Sequence, residues 1–254
     1  MSQPKKRRRP ESEEERFLAA YDSAEFPHPS VAVDVVLLTA AESSLHTVLL
    51  RRDGHPHRGK WALPGGFVGM RESLEEAVDR VLAAKAGIEG VFTEQLFTFG
   101  APDRDPRTRV ISVAYYALVD HGRLTAACPG NGDVRVARLD VPWPGLEGGG
   151  VLATDRDGAS LSLAFDHDVI VGTTVKRLRG KLDYAPIGFE LLPQRFTLRQ
   201  LQAVHEAVLG RTVNKDSFRR RMLASGLVVA TGKREEGVLH RPAELFRFTR
   251  SPRA

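Results

Sequence analysis

Gly65-Gly66-Phe67-Val68-Gly69-Met70-Arg71-Glu72-Ser73 leads into Leu74-Glu75-Glu76-Ala77-Val78-Asp79-Arg80-Val81-Leu82-Ala83-Ala84-Lys85-Ala86 and stops at Gly87-Ile88. Ser73, with a glutamate three places on at Glu76, reads as an N-terminal capping box. A glycine just past the last periodic residue ends a helix. The spacing therefore predicts a helix over 74–86. At about 100° per residue, Glu75, Glu76 and Asp79 lie roughly 120° or more around the axis from Val81. They form a solvated face and complement the dipole of the first turn. Ahead of the helix, Gly65 and Gly66 let the backbone pass close to a ligand, because glycine has no Cβ to collide with it.

Working outward, Val31 to Leu38 and Thr47 to Arg51 read as strands around a Ser/Glu turn. Val110 to Val119 reads as a strand returning to the sheet. Between them, Gly100-Ala101-Pro102-Asp103-Arg104-Asp105-Pro106-Arg107-Thr108-Arg109 is a loop dense in arginine. The planar fork of arginine suits phosphate. The arginines and glycines converge on one expected pocket mouth, and the candidate ligand residues are Arg51, Gly65, Gly66, Phe67, Glu72, Asp103, Arg104, Asp105, Arg107 and Arg109. The alternative is a charged loop that pairs its own Asp and Arg side chains. Gly130-Asn131-Gly132-Asp133 and Pro142-Trp143-Pro144-Gly145 are turns. Residues 145–160, with Gly148-Gly149-Gly150, read as a surface hairpin or a domain joint.

The second half has a different character. A helical run ends near Leu182, and Thr197 and Gly210 bracket another helix with a stripe of Leu198, Leu201, Val204, Val208 and Leu209. Asn214 caps a third helix, 215–224, with Phe218 and Met222 inward. Two helices joined by a short turn, the second rich in Arg, Lys and Ser, make a helix-turn-helix. Leu227–Ala230 and Leu245–Phe248 read as strands of a hairpin, a wing with Lys233, Arg234 and Arg241 near its tip. The candidate DNA-contacting residues are Thr197, Asn214, Lys215, Asp216, Ser217, Arg219, Arg220, Arg221, Lys233, Arg234 and Arg241. The second helix of such a motif docks in the major groove. The alternative is a solvated charge run.

Charge agrees with this division. Residues 1–155 carry 19 Lys and Arg against 22 Asp and Glu; residues 156–254 carry 18 against 10. The net charge of +5 thus conceals an acidic first half and a basic second half, which suits a polyanionic partner for the second alone. No apolar run approaches the ~18 residues that span a bilayer. The Lys5–Arg9 block lacks the apolar stretch of a signal peptide. It offers either a minor-groove contact or a tail with no specific contact. The single cysteine, Cys128, cannot form an internal disulfide and fits a reducing, cytoplasmic setting.

The opening stretch resembles the Nudix box, G-x5-E-x7-R-E-U-x-E-E-x-G-U, with Gly66, Glu72, Arg80, Leu82, Gly87 and Ile88 at the family's spacing. Where the family has three metal-holding glutamates, this chain has Val81, Ala84 and Lys85. Lys60-Trp61-Ala62-Leu63-Pro64-Gly65-Gly66-Phe67-Val68 is also typical of Nudix domains. The loop at 102–107 is similar to that of Nudix domains handling ADP-ribose. The segments Ala164-Phe165-Asp166-His167, Arg177–Leu182, Phe218–Arg221 and Arg241–Phe248 resemble the winged-helix part of the Nudix-related transcriptional regulators, the NrtR-type repressors. This resemblance covers about residues 28–250. It implies an α/β + α protein: an N-terminal Nudix-type α/β/α sandwich with a mixed sheet, and a C-terminal winged helix-turn-helix domain. The expected divisions are a flexible charged arm over 1–25, an effector-binding domain over 26–155 and a DNA-binding domain over 156–254.

The function it implies is a repressor, a homodimer on a palindromic operator often near genes of NAD metabolism. It also implies a nucleotide effector, ADP-ribose in some members; with Val81, Ala84 and Lys85 in place of the metal-holding glutamates, no catalytic residue, cofactor or metal is expected. Three other readings stay open: an active Nudix hydrolase of ADP-ribose or a related nucleoside diphosphate derivative, a metabolite-binding protein whose winged helix meets another protein, and a regulator that binds no ligand and is released from DNA by covalent modification.

Overall fold

The structure, a computed structural model, describes residues 12–128, 132–239 and 241–249. Strand β1 (Ser30–Ala41) is its spine. Residues 33–39 of this strand are all buried, as in a strand covered on both faces. Its side chains alternate between two apolar clusters: Val33, Val35 and Leu37 in one, Val36 and Leu38 in the other. β6 (Val110–Leu118) runs parallel to β1, while β2 (Ser44–Arg51) and β4 (Gly65–Phe67) run antiparallel to it. β5 (Phe92–Phe99), β7 (Val134–Asp140) and β8 (Leu152–Thr154) complete a mixed sheet in the order β5-β6-β1-β2-β7-β8. The short β3 (Trp61–Ala62) adds to β2.

One face carries α2 (Leu74–Ala86) and α3 (His121–Ala127); Val78, Val81 and Leu82 of α2 and Leu124 of α3 pack with Val33, Val35 and Leu37. The bounds of α2 are those of the sequence reading. The Ser73 hydroxyl accepts from the Glu76 N–H, the Glu76 carboxylate accepts from the Ser73 N–H, and Gly87 is left-handed at φ 62°.

The other face carries α4 (His167–Lys181), whose Ile170, Val171, Val175 and Leu178 pack with Val36, Leu38, Leu49 and Tyr116. The sequence reading placed this segment with the DNA-binding half, yet α4 supplies the second helical layer of the sandwich. Its apolar face buries itself on the sheet. Gly172 permits the close approach, because a Cβ there would sit 1.8 Å from the Gly149 carbonyl oxygen. The stretch read as a hairpin or joint packs under α4 near Gly149, continues the sheet as β8, and turns back as a surface hairpin with Thr154 opposite Ser160 and the Leu161 N–H donating to the Ala153 carbonyl at 2.8 Å.

Beyond a 3₁₀ segment, Pro186–Leu191, come α5 (Leu198–Leu209), α6 (Lys215–Ala224), β9 (Val228–Arg234) and β10 (Glu244–Phe248). Phe196, Leu198, Leu201, Phe218, Met222, Val228 and Phe246 give this unit its own core. Burial of a side chain such as Phe218 contributes about 1.5–3 kcal/mol. Helix α5 serves two cores. Leu198 and Leu201 belong to this one, while Val204, Ala207 and Val208 belong to the cluster on the sheet.

The arm expected to be flexible over 1–25 is helical over α1 (Glu13–Ala20). A capping box formed by Ser12 and Glu15 starts it, and none of its residues is buried. Local capping there outweighs charged composition. The Lys5–Arg9 block and turn residues Gly130 and Asn131 lie outside the described residues.

Candidate ligand pocket and nucleic-acid face

A cavity of about 500 Å³ opens where β1, β2, β4, the 100–109 loop and the start of α4 meet. That is the size of a small-molecule site. Its floor holds Asp34, a carboxylate 8% exposed in an otherwise apolar strand. Burying such a charge is costly unless it is paired and hydrogen-bonded. Asp34 accepts from the Ser112 hydroxyl at 2.6 Å and from Arg104 at 3.3 Å. Arg104 also forks onto Asp166, at 2.7 and 3.0 Å. His167 completes the group. Its Nδ1 accepts from the Leu63 N–H at 2.9 Å and its Nε2 stands 3.7 Å from Asp34. Burial lowers the pKa of His167, with Asp34 opposing, and the accepting Nδ1 is that of a neutral ring. Gly65 has to be glycine: a Cβ there would lie 2.3 Å from Asp34 Oδ1 and 2.9 Å from the Val33 carbonyl.

The walls carry positive charge and aromatic rings. Phe165 adopts φ 53°, rare outside glycine, which aims its ring at the cavity. His57 meets that ring edge-on at 4.7 Å and the Arg52 guanidinium lies 4.8 Å from its centre. Arg52 Nε donates to the Pro56 carbonyl at 2.8 Å. Opposite, Phe67 is half exposed with the Arg107 guanidinium 5.7 Å from its ring. Lys85 Nζ donates to the Gly65 carbonyl. Burial lowers the Lys85 pKa; Asp34 opposes this and Arg52 and Arg80 add to it.

Of the ligand residues expected from sequence, Arg51, Gly65, Gly66, Phe67, Arg104, Asp105 and Arg107 line the cavity. Glu72, Asp103 and Arg109 do not. Glu72 pins the loop before α2, accepting from Arg80 at 2.6 Å and from the Gly69 N–H at 2.8 Å. Arg80, then Gly69, hold its carboxyl down at about 2. Arg109 donates to the Ala101 carbonyl at 3.1 Å, bracing its own loop, and Asp103 is exposed. Asp105 takes both prongs of Arg107, at 2.7 and 3.0 Å, so internal Asp–Arg pairing and a ligand-facing loop coexist. Sequence reasoning missed Asp34, Arg52, Lys85, Phe165 and His167 as lining residues. A lone acid in Val31-Ala32-Val33-Asp34-Val35-Val36 was a legible signal for the first; Phe165 and His167 stood out only in a segment likened to the winged-helix part, whereas they wall the pocket, with His167 104 residues from its partner Leu63.

The second site is the exposed face of the winged unit. Asn214 caps α6 by accepting from the Ser217 N–H at 3.0 Å, and Glu206 holds the preceding turn through the Val213 N–H at 2.9 Å. A groove of about 920 Å³ between α5, α6 and the wing brings together Thr197, Lys215, Arg219, Arg234 and Arg241, with Arg199 and Gln202. Asn214, Asp216, Ser217, Arg220 and Lys233 lie outside its lining and are exposed. Thr197 is buried in its capping box with Gln200. Arg221 turns back over the Phe218 ring at 5.6 Å.

Two family models match the chain: a NUDIX domain over residues 28–145 and an NrtR DNA-binding winged helix domain over 188–248. An ADPR responsive transcriptional repressor NtrR from Acinetobacter baylyi is 33% identical over 239 residues, covering 93% of this chain and 89% of that protein. The chain belongs to the NrtR family of Nudix-related transcriptional regulators. The crystal structure of Shewanella oneidensis NrtR complexed with a 27mer DNA is similar, with TM-score 0.70 and 33% identity over 86% of this chain and 93% of that one. Over a shorter stretch of 99 residues the chain is 39% identical to an ADP-ribose pyrophosphatase from Methanocaldococcus jannaschii, covering 39% of this chain and 56% of that enzyme. The two NrtR relatives span both units of this chain; the pyrophosphatase matches a single stretch. No helix among the described residues is long and apolar enough to cross a membrane.

Proposed function

We propose that this chain is a ligand-gated repressor of the NrtR family, a cytoplasmic homodimer that reads a palindromic operator and answers to ADP-ribose or a related nucleotide. The observation that carries the gating is the seam at 164–167. There Phe165 and His167 wall the pocket and Asp166 holds Arg104, while the same residues start α4. At the far end of α4, the buried Arg179 donates to the Val208 carbonyl of α5 at 2.9 Å, and to the Trp143 and Gly145 carbonyls at 3.1 Å each. One helix thus runs from the pocket wall to the first helix of the DNA-reading unit. A ligand that shifts the seam biases the placement of α5 and α6. By linkage, DNA and ligand then change each other's affinity by the same factor. In this reading the exposed Lys215, Arg219, Arg234 and Arg241 neutralise phosphates and α6 reads base edges.

The Nudix resemblance also implies a divalent metal, and the donor set does not fit one. Magnesium takes several oxygen ligands in near-octahedral array. Val81 is buried in the apolar cluster, Ala84 has no donor, and Lys85 turns its ammonium to the Gly65 carbonyl. Among the described residues no group of three or more His, Cys, Asp or Glu stands together as a cage. In this reading the pocket binds its ligand without hydrolysing it. The identity to an ADP-ribose pyrophosphatase favours the second reading, a hydrolase.

Fluorescence anisotropy on duplexes selected from a random pool, at physiological salt, tests the first reading. A palindrome bound at nanomolar level and released or tightened by ADP-ribose is the expected result. Absence of any enriched sequence would remove the regulator. Metal-dependent turnover of ADP-ribose would install the hydrolase.

A further inference from the structure

Five cations border the pocket: Arg51, Arg52, Lys85, Arg104 and Arg107. They are not equivalent. Arg104 is committed to Asp166 and Asp34, and Arg107 to Asp105. Arg51 is exposed at the mouth. Arg52 and Lys85 differ from Arg104 and Arg107 in pairing, and from Arg51 in being anchored within the pocket. Among the described residues neither has a carboxylate within 4 Å, and each is held by a backbone carbonyl, Pro56 for Arg52 and Gly65 for Lys85. A neutral carbonyl brings no opposing charge into contact, although Asp34 and Asp53 act on both cations from beyond 4 Å, as does Asp105 on Arg52. It also leaves donors to spare: Lys85 uses one of its three N–H groups and Arg52 one of its five. Burial lowers the Lys85 pKa and Arg52 adds to this, with Asp34 opposing. Cations with no carboxylate in contact and N–H groups to spare are open to an anion at the cavity.

The position of Lys85 sharpens this. The Gly65 carbonyl is a backbone oxygen at the pocket wall, a hard donor of the kind that attracts cations. The ammonium of Lys85 sits on it. We propose that Lys85 and Arg52 stand in for a divalent cation in this pocket, binding the diphosphate of the ligand directly, so that effector binding needs no metal. This rests on the nucleotide-effector reading above. The two ideas fail separately, because inorganic pyrophosphate probes the charge site without the rest of the nucleotide.

The test is calorimetric titration of the full chain with ADP-ribose and with inorganic pyrophosphate, each in EDTA and in magnesium. Wild type is expected to bind both probes in EDTA, with affinities within about twofold of those in magnesium after correction for the probe held as its magnesium complex. Lys85→Met and Arg52→Met are each expected to weaken both probes by about tenfold or more, the weight of a charge-assisted hydrogen bond. Lys85→Arg, which keeps the charge, is expected to recover most of the loss. An unchanged thermal midpoint separates lost binding from lost folding. Binding that appears only with magnesium overturns the proposal. So does Lys85→Met binding as wild type does, or failure of pyrophosphate to bind at all. Pyrophosphate bound through Lys85, with ADP-ribose no tighter and without effect on operator binding, upholds the charge site and sinks the effector reading.

Discussion

The pocket and the winged face are both rich in arginine, and they treat it in opposite ways. In the pocket, Arg104 and Arg107 are locked to buried or half-buried carboxylates. On the winged face no ion pair joins described residues beyond Lys181, and Lys215, Arg219, Arg220 and Lys233 are exposed. Locked charges give a fixed shape at the cost of free charge, which suits one small ligand of defined outline. Unlocked charges keep their full attraction for a polyanion and adapt to it, which suits a phosphate backbone. The same residue type therefore builds geometry in one half and affinity in the other.

The comparison can be broken most sharply at Arg104. Arg104→Met leaves Asp34 and Asp166 without their shared partner. It is expected to cost about 3–5 kcal/mol, the usual penalty for breaking a buried ion pair. Urea unfolding measures it, and a cost under about 1 kcal/mol would show that these charges are not structural.

The next effect belongs to the winged unit. His205 is 7% exposed, set edge-on to Phe218 at 4.9 Å; burial, then Arg221, brings its pKa down to about 4. The unfolded chain therefore binds this proton more readily than the folded one. Stability from the neutral ring is fully present above about pH 6.5 and is lost as pH falls towards 4, by an amount on the order of 3 kcal/mol. Thermal unfolding between pH 7 and 4 should show the loss, and His205→Gln should flatten it.

A smaller effect tests the helix that faces both ways. Gln200→Ala removes one half of the capping box with Thr197 and is expected to cost about 1 kcal/mol, read from the denaturation midpoint. The smallest stability effect is expected where the charges are unlocked. Lys215→Met or Arg219→Met should change stability by no more than about 0.5 kcal/mol. Each should lower the magnitude of the salt slope of operator binding by about 1. A large stability loss at either position would erase the contrast between the two regions.

How much of this was legible depends on the range of the interactions. Elements fixed by local chemistry were read with their ends. Helix α2 lies between Ser73 and Gly87, α5 between Thr197 and Gly210, and α6 starts at Asn214, each as the capping residues dictate. Helix α1 had the same signal in Ser12 and Glu15, hidden by a block of glutamates that read as disorder. The arginine loop was found, but not which of its side chains face the cavity. That depends on partners far away: Asp166 is 62 residues from Arg104, and His167 is 104 residues from Leu63. The layer to which α4 belongs was likewise hidden, because its apolar residues fit a sheet or a helical unit equally well until Gly172 meets Gly149. The role of Lys85 lay half in view: the sequence showed a cation where the Nudix pattern has an acid, and the fold supplied its carbonyl partner.

The double duty of α5 bears on modularity. A DNA-reading unit ending cleanly at its own core could be cut out, traded between proteins or tethered elsewhere. Here Val204, Ala207 and Val208 lie within the sheet's apolar cluster, so excising 188–248 would bare an oily stripe along the helix that orients α6. Recombination of sensor and reader in this architecture therefore has to carry α4 and the sheet surface beneath it, and a graft that respects only the sequence boundary inherits a helix with half its neighbours missing.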